Sequence, residues 1–542
     1  MHVLFKRILL GIMATSVIFS CAACKDKSED TETATDITTT VSQATTTTAE
    51  TTTVAEETTT VSTETTTVTN SQSSSDSLVK LPDIKADSKI YDAPTDSKRP
   101  SDSFISSVKV YTLKIKHPWN FGGTNATGGT SLTSNRKAAN YVEQKYGVTI
   151  EEIGVFQDYN KLLQGEIAAN KFEYQMYEVQ SFNFSSYVKN NYMKNLRSAQ
   201  NIAAVSFTES WYDYNCTQLA AIGGGQYGWT SFDADYTLPT GILYNKKLLK
   251  QANLEDPITL ARKGQWTWSK LEEYALKLNT SSIDGFRLGA KDAAILYSSL
   301  MSSSGTNLVT LQTGKSPKSN VTTQAGQDAL AQIETWVKKN VITFNQDEVW
   351  DANKEKFAEG KAGMVLASND TLNSCTGSGL KDSVGIVPFP TKVASTEYKD
   401  VLHLVFMSFI PSYYNDDNEV AKMLFVRDEQ LQQLYRYRET LFADLYSNYN
   451  LTSDSLAMAY MIKYGTTDPS GIKYTKYVGA ENMLEPDGSD VDGVPNLTNI
   501  IHPVLSGGSA SKAISGYADT LQKKYDSFWG SRVFTGNYSY NK

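Results

Sequence analysis

The sequence predicts an α/β fold built on parallel sheet and spread over more than one lobe, and three observations predict it. From about Val108 to Phe156 a β-forming run, a Gly-containing loop, a helical pattern and a second β-forming run follow one another. A crossover of that size implies parallel strands covered on both faces. The unit recurs as far as Leu196, and 542 residues exceed what one hydrophobic core usually serves.

Taken in order, the chain opens with Lys6-Arg7 followed by an apolar run from Ile8 to Ser20. That run is too short to span a bilayer and is flanked as an export signal is. It ends in Cys21-Ala22-Ala23-Cys24, with polar Lys25-Asp26-Lys27 beyond. Small residues before a cysteine resemble a bacterial lipobox, which implies a signal peptide over 1–23, cleavage before Cys24 and lipidation of its thiol. Ala22-Ala23 fits the small-residue requirement better than Phe19-Ser20, which selects Cys24 over Cys21.

Residues 24–77 read as a linker. Positions 31 to 69 hold 21 Thr and no aromatic residue, and Thr-Thr-Thr-Val starts at 51, 58 and 65. The seven-residue spacing gives no coiled coil, because a single Val among β-branched Thr supplies no apolar seam. A flexible chain of this length has an end-to-end distance of roughly 40 Å. Residues 78–104 connect it to the fold.

In the globular part, Val108–Ile115 alternates as a strand, Ser134–Lys145 is helical and stopped by Gly147, and Val148–Phe156 is the next strand. A helix at Tyr159–Ala169, a strand at Gln175–Gln180 and a helix near Ser185–Leu196 continue the alternation. Farther on, Thr267 or Ser269 can cap a helix running through Tyr274 and Leu278, Gly360 stops a helix before the buried strand at Met364, and Val384–Val387 is a short strand ended by prolines.

Composition excludes several functions. The chain carries 51 Lys+Arg against 59 Asp+Glu, so it has no basic footprint for nucleic acid. Four His at 2, 117, 403 and 502 form no metal-binding spacing, and no cofactor motif is present. Cys216 and Cys375 form no CxxC and no disulfide framework, so the sequence leaves open whether they are bonded. The acidic stretch Asp487–Gly493 departs from EF-hand spacing and reads as a solvated turn, with calcium binding left open. No nucleophile elbow, P-loop or metal dyad points to an enzyme.

Five passages carry a resemblance: "PTGILYNKKLLKQANLEDP", "QWTWSKLEEYALKL", "KFAEGKAGMVLAS", "VGIVPFP" and "PVLSGGSASKAISGYADTLQKKY". In this order, behind a lipobox and a Thr-rich linker, they resemble the extracellular solute-binding lipoproteins of ABC importers, in the sugar-binding, maltose-binding-like branch. The resemblance covers about 105–542. It implies a two-lobed periplasmic-binding-protein-like fold with discontinuous lobes and hinge strands. One lobe would hold 105–236 and 389–425, the other 237–388 and 426–542, with crossings near Asp233–Leu243 and Val384–Pro390.

It also implies a function: a monomer, lipid-anchored on the outer face of the bacterial membrane, that captures a carbohydrate and delivers it to ABC permease subunits without making or breaking a bond. A receptor for another polar solute such as a peptide, a cell-surface glycoside hydrolase and a polysaccharide-binding protein remain alternatives.

A sugar site needs flat apolar surfaces for the ring and directional polar groups for its hydroxyls. The loops at carboxyl ends of parallel strands form the crevice of open sheets, which singles out Trp119 and Asn120 and the run Gln180-Ser181-Phe182-Asn183, with Gln180 and Asn183 as the candidate contacts. The first crossing adds Asp233, Asp235 and Tyr236, and aromatic-dense Trp211 could wall the cleft. On the other lobe the resemblance points to Tyr297 and Ser302, within "YSSLMSSSG", and to Ser368 and Asn369. Members of the family often place a stacking Trp at this last position; here Ser368-Asn369-Asp370 shifts the expectation to hydrogen bonding or to a non-sugar ligand.

Overall fold

The computed structural model describes residues 99–118, 130–155, 159–232, 241–289, 292–345, 352–367, 369–375, 378–380, 383–402, 405–446, 451–464, 472–478 and 498–529, with residues 78, 81, 449, 533, 535 and 536. The leader, Cys24, the Thr-rich linker and the acidic stretch 487–493 lie outside the described residues.

The alternation read from the sequence appears as β1 (Thr112–Pro118), α1 (Thr130–Tyr146), β2 (Thr149–Val155), α2 (Tyr159–Ala169), β3 (Met176–Gln180) and α3 (Ser181–Lys189). The short helices α4 (Arg197–Ala203) and α5 (Tyr214–Leu219) follow. A second series runs β4 (Gly241–Asn245), α6 (Trp268–Leu278), β5 (Asp284–Leu288), α7 (Asp292–Ser303), α8 (Gln324–Lys338), β6 (Ile342–Phe344), α9 (Ala352–Ala358), β7 (Ala362–Leu366) and β8 (Val384–Pro388). The chain closes with β9 (Glu397–Leu402), β10 (Phe406–Phe409), α10 (Asp417–Arg436), β11 (Lys473–Val478) and α11 (Ala510–Trp529) among the described elements.

These strands make two principal sheets, one in each lobe. The first has the order β10-β3-β1-β2, with β1 parallel to β2 and β3 and only β10 antiparallel. The second has the order β6-β5-β7-β4-β8, where β5, β6 and β7 run parallel and β4 opposes both β7 and β8. Both lobes are discontinuous: β10 returns to the first sheet after the second has been completed, and α11 returns to the second lobe, where the Ala510 N–H donates to Glu334 of α8.

Local chemistry explains the element ends. Thr267, one of the two residues able to cap α6, does so: its side chain accepts from the Lys270 N–H. Trp266 is fully buried and donates its indole N–H to the Pro388 carbonyl at 2.9 Å, while Trp268 begins the helix at 6% exposure. Both tryptophans thus anchor a helix start. Helix α6 lies so close on β5 that a Cβ built on Gly285 would fall 1.9 Å from the Ala275 carbonyl oxygen, which explains a glycine in the middle of a strand.

One face of the first sheet, through Leu113, Ile115, Ile150 and Met176, buries against Ala138 and Val142 of α1, Ala199 of α4 and Val420, Leu424 and Leu431 of α10. This packing bears on the expected switch of lobe at residues 425 and 426. That cut falls inside the 20-residue α10, and residues on both sides of it pack in the same core. A single rigid helix cannot change lobes midway, so α10 belongs with the first sheet through Arg436.

Cys216 and Cys375 are both buried and are not bridged in a disulfide. Among the described residues no helix is long and apolar enough to cross a membrane, and no group of three or more His, Cys, Asp or Glu could hold a metal ion.

Candidate functional site

The registers place the carboxyl ends of the parallel strands and the inter-lobe connections on the same edges. In the second sheet β4 begins at Gly241 opposite Pro388, the last residue of β8, and beside Leu366, the last of β7. The chain therefore enters and leaves this lobe at its carboxyl edge. In the first sheet β10 re-enters at Phe406, opposite Gln180 at the carboxyl end of β3. These two edges are where strand order predicts a ligand crevice.

On the first lobe, Gln180 passes directly into α3, whose first residue is Ser181. The Gln180 side chain makes no capping bond. Ser181 is 1% exposed and its Oγ has no partner among the described residues, while its N–H donates to the Val405 carbonyl at 2.8 Å. Asn183 stands half-buried two residues farther into the first turn. Residues of this turn thus present a hydroxyl, two amides and the positive end of a helix dipole.

The second lobe offers a comparable arrangement. Asp292 opens α7 just beyond β5, and its Oδ2 accepts from the Gly289 N–H at 2.8 Å and from Asn353 Nδ2 at 2.6 Å. Asn353, at the start of α9 beyond β6, is 3% exposed and its Oδ1 has no partner among the described residues. Both edges therefore hold a buried polar atom able to bond a guest.

Beneath the first edge lies a charged cluster. His117, at the end of β1, places Nδ1 2.8 Å from Glu178 Oε2 of β3 and Nε2 3.5 Å from Glu152 Oε1 of β2. Arg427 of α10 donates to the same Glu152 Oε1 at 2.7 Å and to Gln430 Oε1 at 2.8 Å. All four charges are at most 8% exposed. Burial by itself would push the imidazole down, yet the charges of Glu178 and Glu152 raise it to about 9, so His117 is a cation at neutral pH. Burial likewise pushes both carboxyls up, and His117 with Arg427 more than reverses it, holding them below the usual range.

Several expected site residues sit elsewhere. Trp211 is 1% exposed inside the first lobe, its indole N–H donated at 2.8 Å to Asp428 of α10, which also accepts from Tyr212. It is a core residue, not a wall of the cleft. Tyr297 is fully buried, with its hydroxyl on the Gly326 carbonyl at 3.1 Å, and Ser302 is 1% exposed. Both are buried in the second lobe, and Ser302, whose Oγ has no partner among the described residues, stands at the end of α7 opposite Asp292 and so away from the carboxyl edge. Trp119, Asn120, Asp233, Asp235, Tyr236 and Ser368 lie outside the described residues, as does the side chain of Asn369, whose backbone begins the short helix Asn369–Cys375.

Sequence reading singled out Ser181 within the run Gln180-Ser181-Phe182-Asn183 and missed Asn353 and the His117 cluster. For His117 no signal was present, because Glu152, Glu178 and Arg427 are far away in the chain.

The comparisons with known proteins agree with this architecture. A cyclo/maltodextrin-binding protein complexed with maltotetraose is similar with a TM-score of 0.53 at 16% identity, over 77% of this chain and 97% of that one. A cyclic α-maltosyl-1,6-maltose binding protein from Arthrobacter globiformis is similar at 0.53 and 12% identity, over 77% and 100%. An ABC substrate-binding protein from Listeria monocytogenes in complex with cycloalternan reaches 0.50 at 14% identity, over 78% and 98%. At such identities these likenesses establish the fold. No curated protein sequence matches. The family model of the bacterial extracellular solute-binding proteins matches residues 137–411, just over half of the chain. With two discontinuous α/β lobes joined at their carboxyl edges, the chain belongs to the bacterial extracellular solute-binding protein family.

Proposed function

We propose that this protein captures a carbohydrate, an oligosaccharide, between its lobes and delivers it to the permease of an ABC importer, as a monomer tethered outside the cell membrane through lipidated Cys24. The observation that carries the reading is the pair of carboxyl edges at which the chain passes between the lobes of a solute-binding fold, each holding a buried polar atom without a partner among the described residues. Such atoms cost free energy until a guest satisfies them, and a sugar brings many hydroxyls able to do so. Proteins of similar fold in complex with maltotetraose and with cycloalternan, and a cyclic α-maltosyl-1,6-maltose binding protein, support a carbohydrate as the ligand class.

Capture is a population shift. A ligand that touches both lobes favours closure by the free energy of the second lobe's contacts, and one that touches a single lobe binds without closing it. No bond is made or broken.

The test is calorimetry and thermal unfolding against linear and cyclic glucans. A ligand at a hundred times its Kd adds about 2.7 kcal/mol to stability, and it should reappear chemically unchanged. Released shorter sugars would mean a glycoside hydrolase. Silence across the glucans with binding of peptides would favour another polar solute, the alternative that Ser368-Asn369-Asp370 suggests. With a glucan that binds, Asn183→Ala is expected to weaken affinity about tenfold, the loss of one or two net hydrogen bonds, without shifting the unfolding midpoint of the empty protein. Cys24→Ala is expected to release the protein into the medium, read by immunoblot of cell and culture fractions.

A further inference from the structure

The first lobe carries a second concave site, at its end away from the crevice. Helix α1 starts beyond the carboxyl end of β1 and stops at Tyr146, just before β2, so Tyr146 marks the amino edge of the sheet. There the ends of α1 and α4, one side of α10 and the segment entering the fold at Arg99-Pro100 enclose a cavity of about 220 Å³. Its lining shares no residue with the crevice edges.

Two polar side chains one helical turn apart on α10 form its floor. Asp428, 7% exposed, is held by the Trp211 indole and the Tyr212 hydroxyl, which both donate to its Oδ1. Gln432, four residues on, shares that helix face. It is also 7% exposed, yet its side-chain amide has no hydrogen-bond partner among the described residues. An amide withdrawn from water in this way costs free energy until a molecule in the cavity bonds it. Phe425, Ile105 and Ala203 supply an apolar wall.

The mouth carries both signs of charge. Lys145 lies 4.7 Å from the centre of the Tyr146 ring and 3.2 Å from Glu429 Oε2. Arg99 is 73% exposed, with Asp102 no nearer than 3.7 Å. In the lining as a whole Arg99 and Lys145 balance Asp428 and Glu429, so a ligand of net charge gains little, and one that carries both signs can engage both. The signs are also sorted by depth. The most buried charge is the Asp428 carboxylate, close to the negative end of the α1 dipole, and the most exposed is the Arg99 guanidinium.

We propose that this cavity is a second binding site, for a small zwitterion: an α-amino acid with an apolar side chain. Its ammonium is placed by the charge of Asp428 and the amide oxygen of Gln432, its carboxylate by Arg99 and Lys145, and its side chain by Phe425 and Ile105. A sugar fits the lining less well. Phe425 is 4% exposed, in T-shaped contact with Phe104 at 5.7 Å and with Tyr146 at 5.1 Å, and so offers no open face on which a sugar ring can rest.

Titration calorimetry on the full-length protein tests the site with L-leucine, with its two halves 3-methylbutylamine and 4-methylpentanoate, and with glucose. Leucine is expected to bind, and each half about tenfold more weakly, since each forgoes a charge-assisted contact. Gln432→Leu is expected to weaken leucine about tenfold while leaving the unfolding midpoint of the empty protein unchanged or raised, because it removes a buried amide that lacks a partner. A glutamine that served packing alone would lower the midpoint and leave the affinity as it was. Arg99→Ala, at an exposed side chain that folding does not need, is expected to weaken leucine about threefold. Absence of heat with leucine overturns the site. Leucine binding equal to the parent in both variants puts the amino acid elsewhere and overturns it too, and glucose binding that Gln432→Leu abolishes overturns the ligand class. None of these readouts depends on what the crevice takes.

Discussion

Arg427→Met is expected to destabilise the protein by about 3–5 kcal/mol, the cost of leaving a buried carboxylate without its partner. Arg427 links α10 to β2 through the 2.7 Å bond to Glu152 Oε1, at a site where neither side chain is more than 8% exposed. After the substitution Glu152 loses its guanidinium and keeps the longer 3.5 Å approach of His117, which is already engaged with Glu178, and a side-chain hydrogen bond with Gln430. Methionine fills much of the volume, so the loss is electrostatic more than a cavity. Urea unfolding at neutral pH measures it, and a fall below about 1 kcal/mol would show that water enters and solvates Glu152. A second variant separates charge from packing: adding Glu152→Leu to Arg427→Met should recover a large part of the loss, because an apolar pair in place of a buried ion pair is often neutral. The cluster lies directly under the carboxyl ends of β1, β2 and β3, so the single variant should also weaken ligand binding.

How much of this was legible in the sequence follows from how local each signal is. Helix α2 is found where its pattern put it, and β2 and β3 lie within a residue of expectation at most ends. The strand expected from Val108 begins only at Thr112, because Asp102–Ser107 is helical and Val110 turns the chain at φ 59°, with its N–H on the Gly147 carbonyl at 2.8 Å. The alternation of valines was real but served a buried anchor at Val108 and a turn. Helix α3 begins four residues before Ser185, where Gln180-Ser181-Phe182-Asn183 reads as polar loop. What starts it is the backbone partner of Ser181, the Val405 carbonyl, more than two hundred residues away. Trp211 was misplaced for the same reason. A buried indole needs an acceptor, and Asp428, which supplies it, is adjacent only in the folded chain.

Raising the pH from 6 to 10 is expected to cost the protein on the order of 3 kcal/mol of stability through His117 alone. Its folded pKa, raised to about 9, exceeds the ordinary imidazole value of 6.5, so the folded state holds the proton more tightly than the unfolded chain. The contribution is therefore complete below pH 6.5, where both states are protonated, and is lost as pH rises through 9. Glu152 and Glu178 act in the opposite sense. Their depressed carboxyls contribute above the usual value of 4.5 and lose that contribution as pH falls below it. The cluster as a whole is then most stabilising between about pH 4.5 and 6.5. Urea midpoints measured across pH 4 to 10 should show this maximum, and His117→Gln should flatten the alkaline limb while leaving the acid limb in place. An alkaline limb of unchanged slope in that variant would assign it to other groups and leave His117 neutral between its two carboxylates.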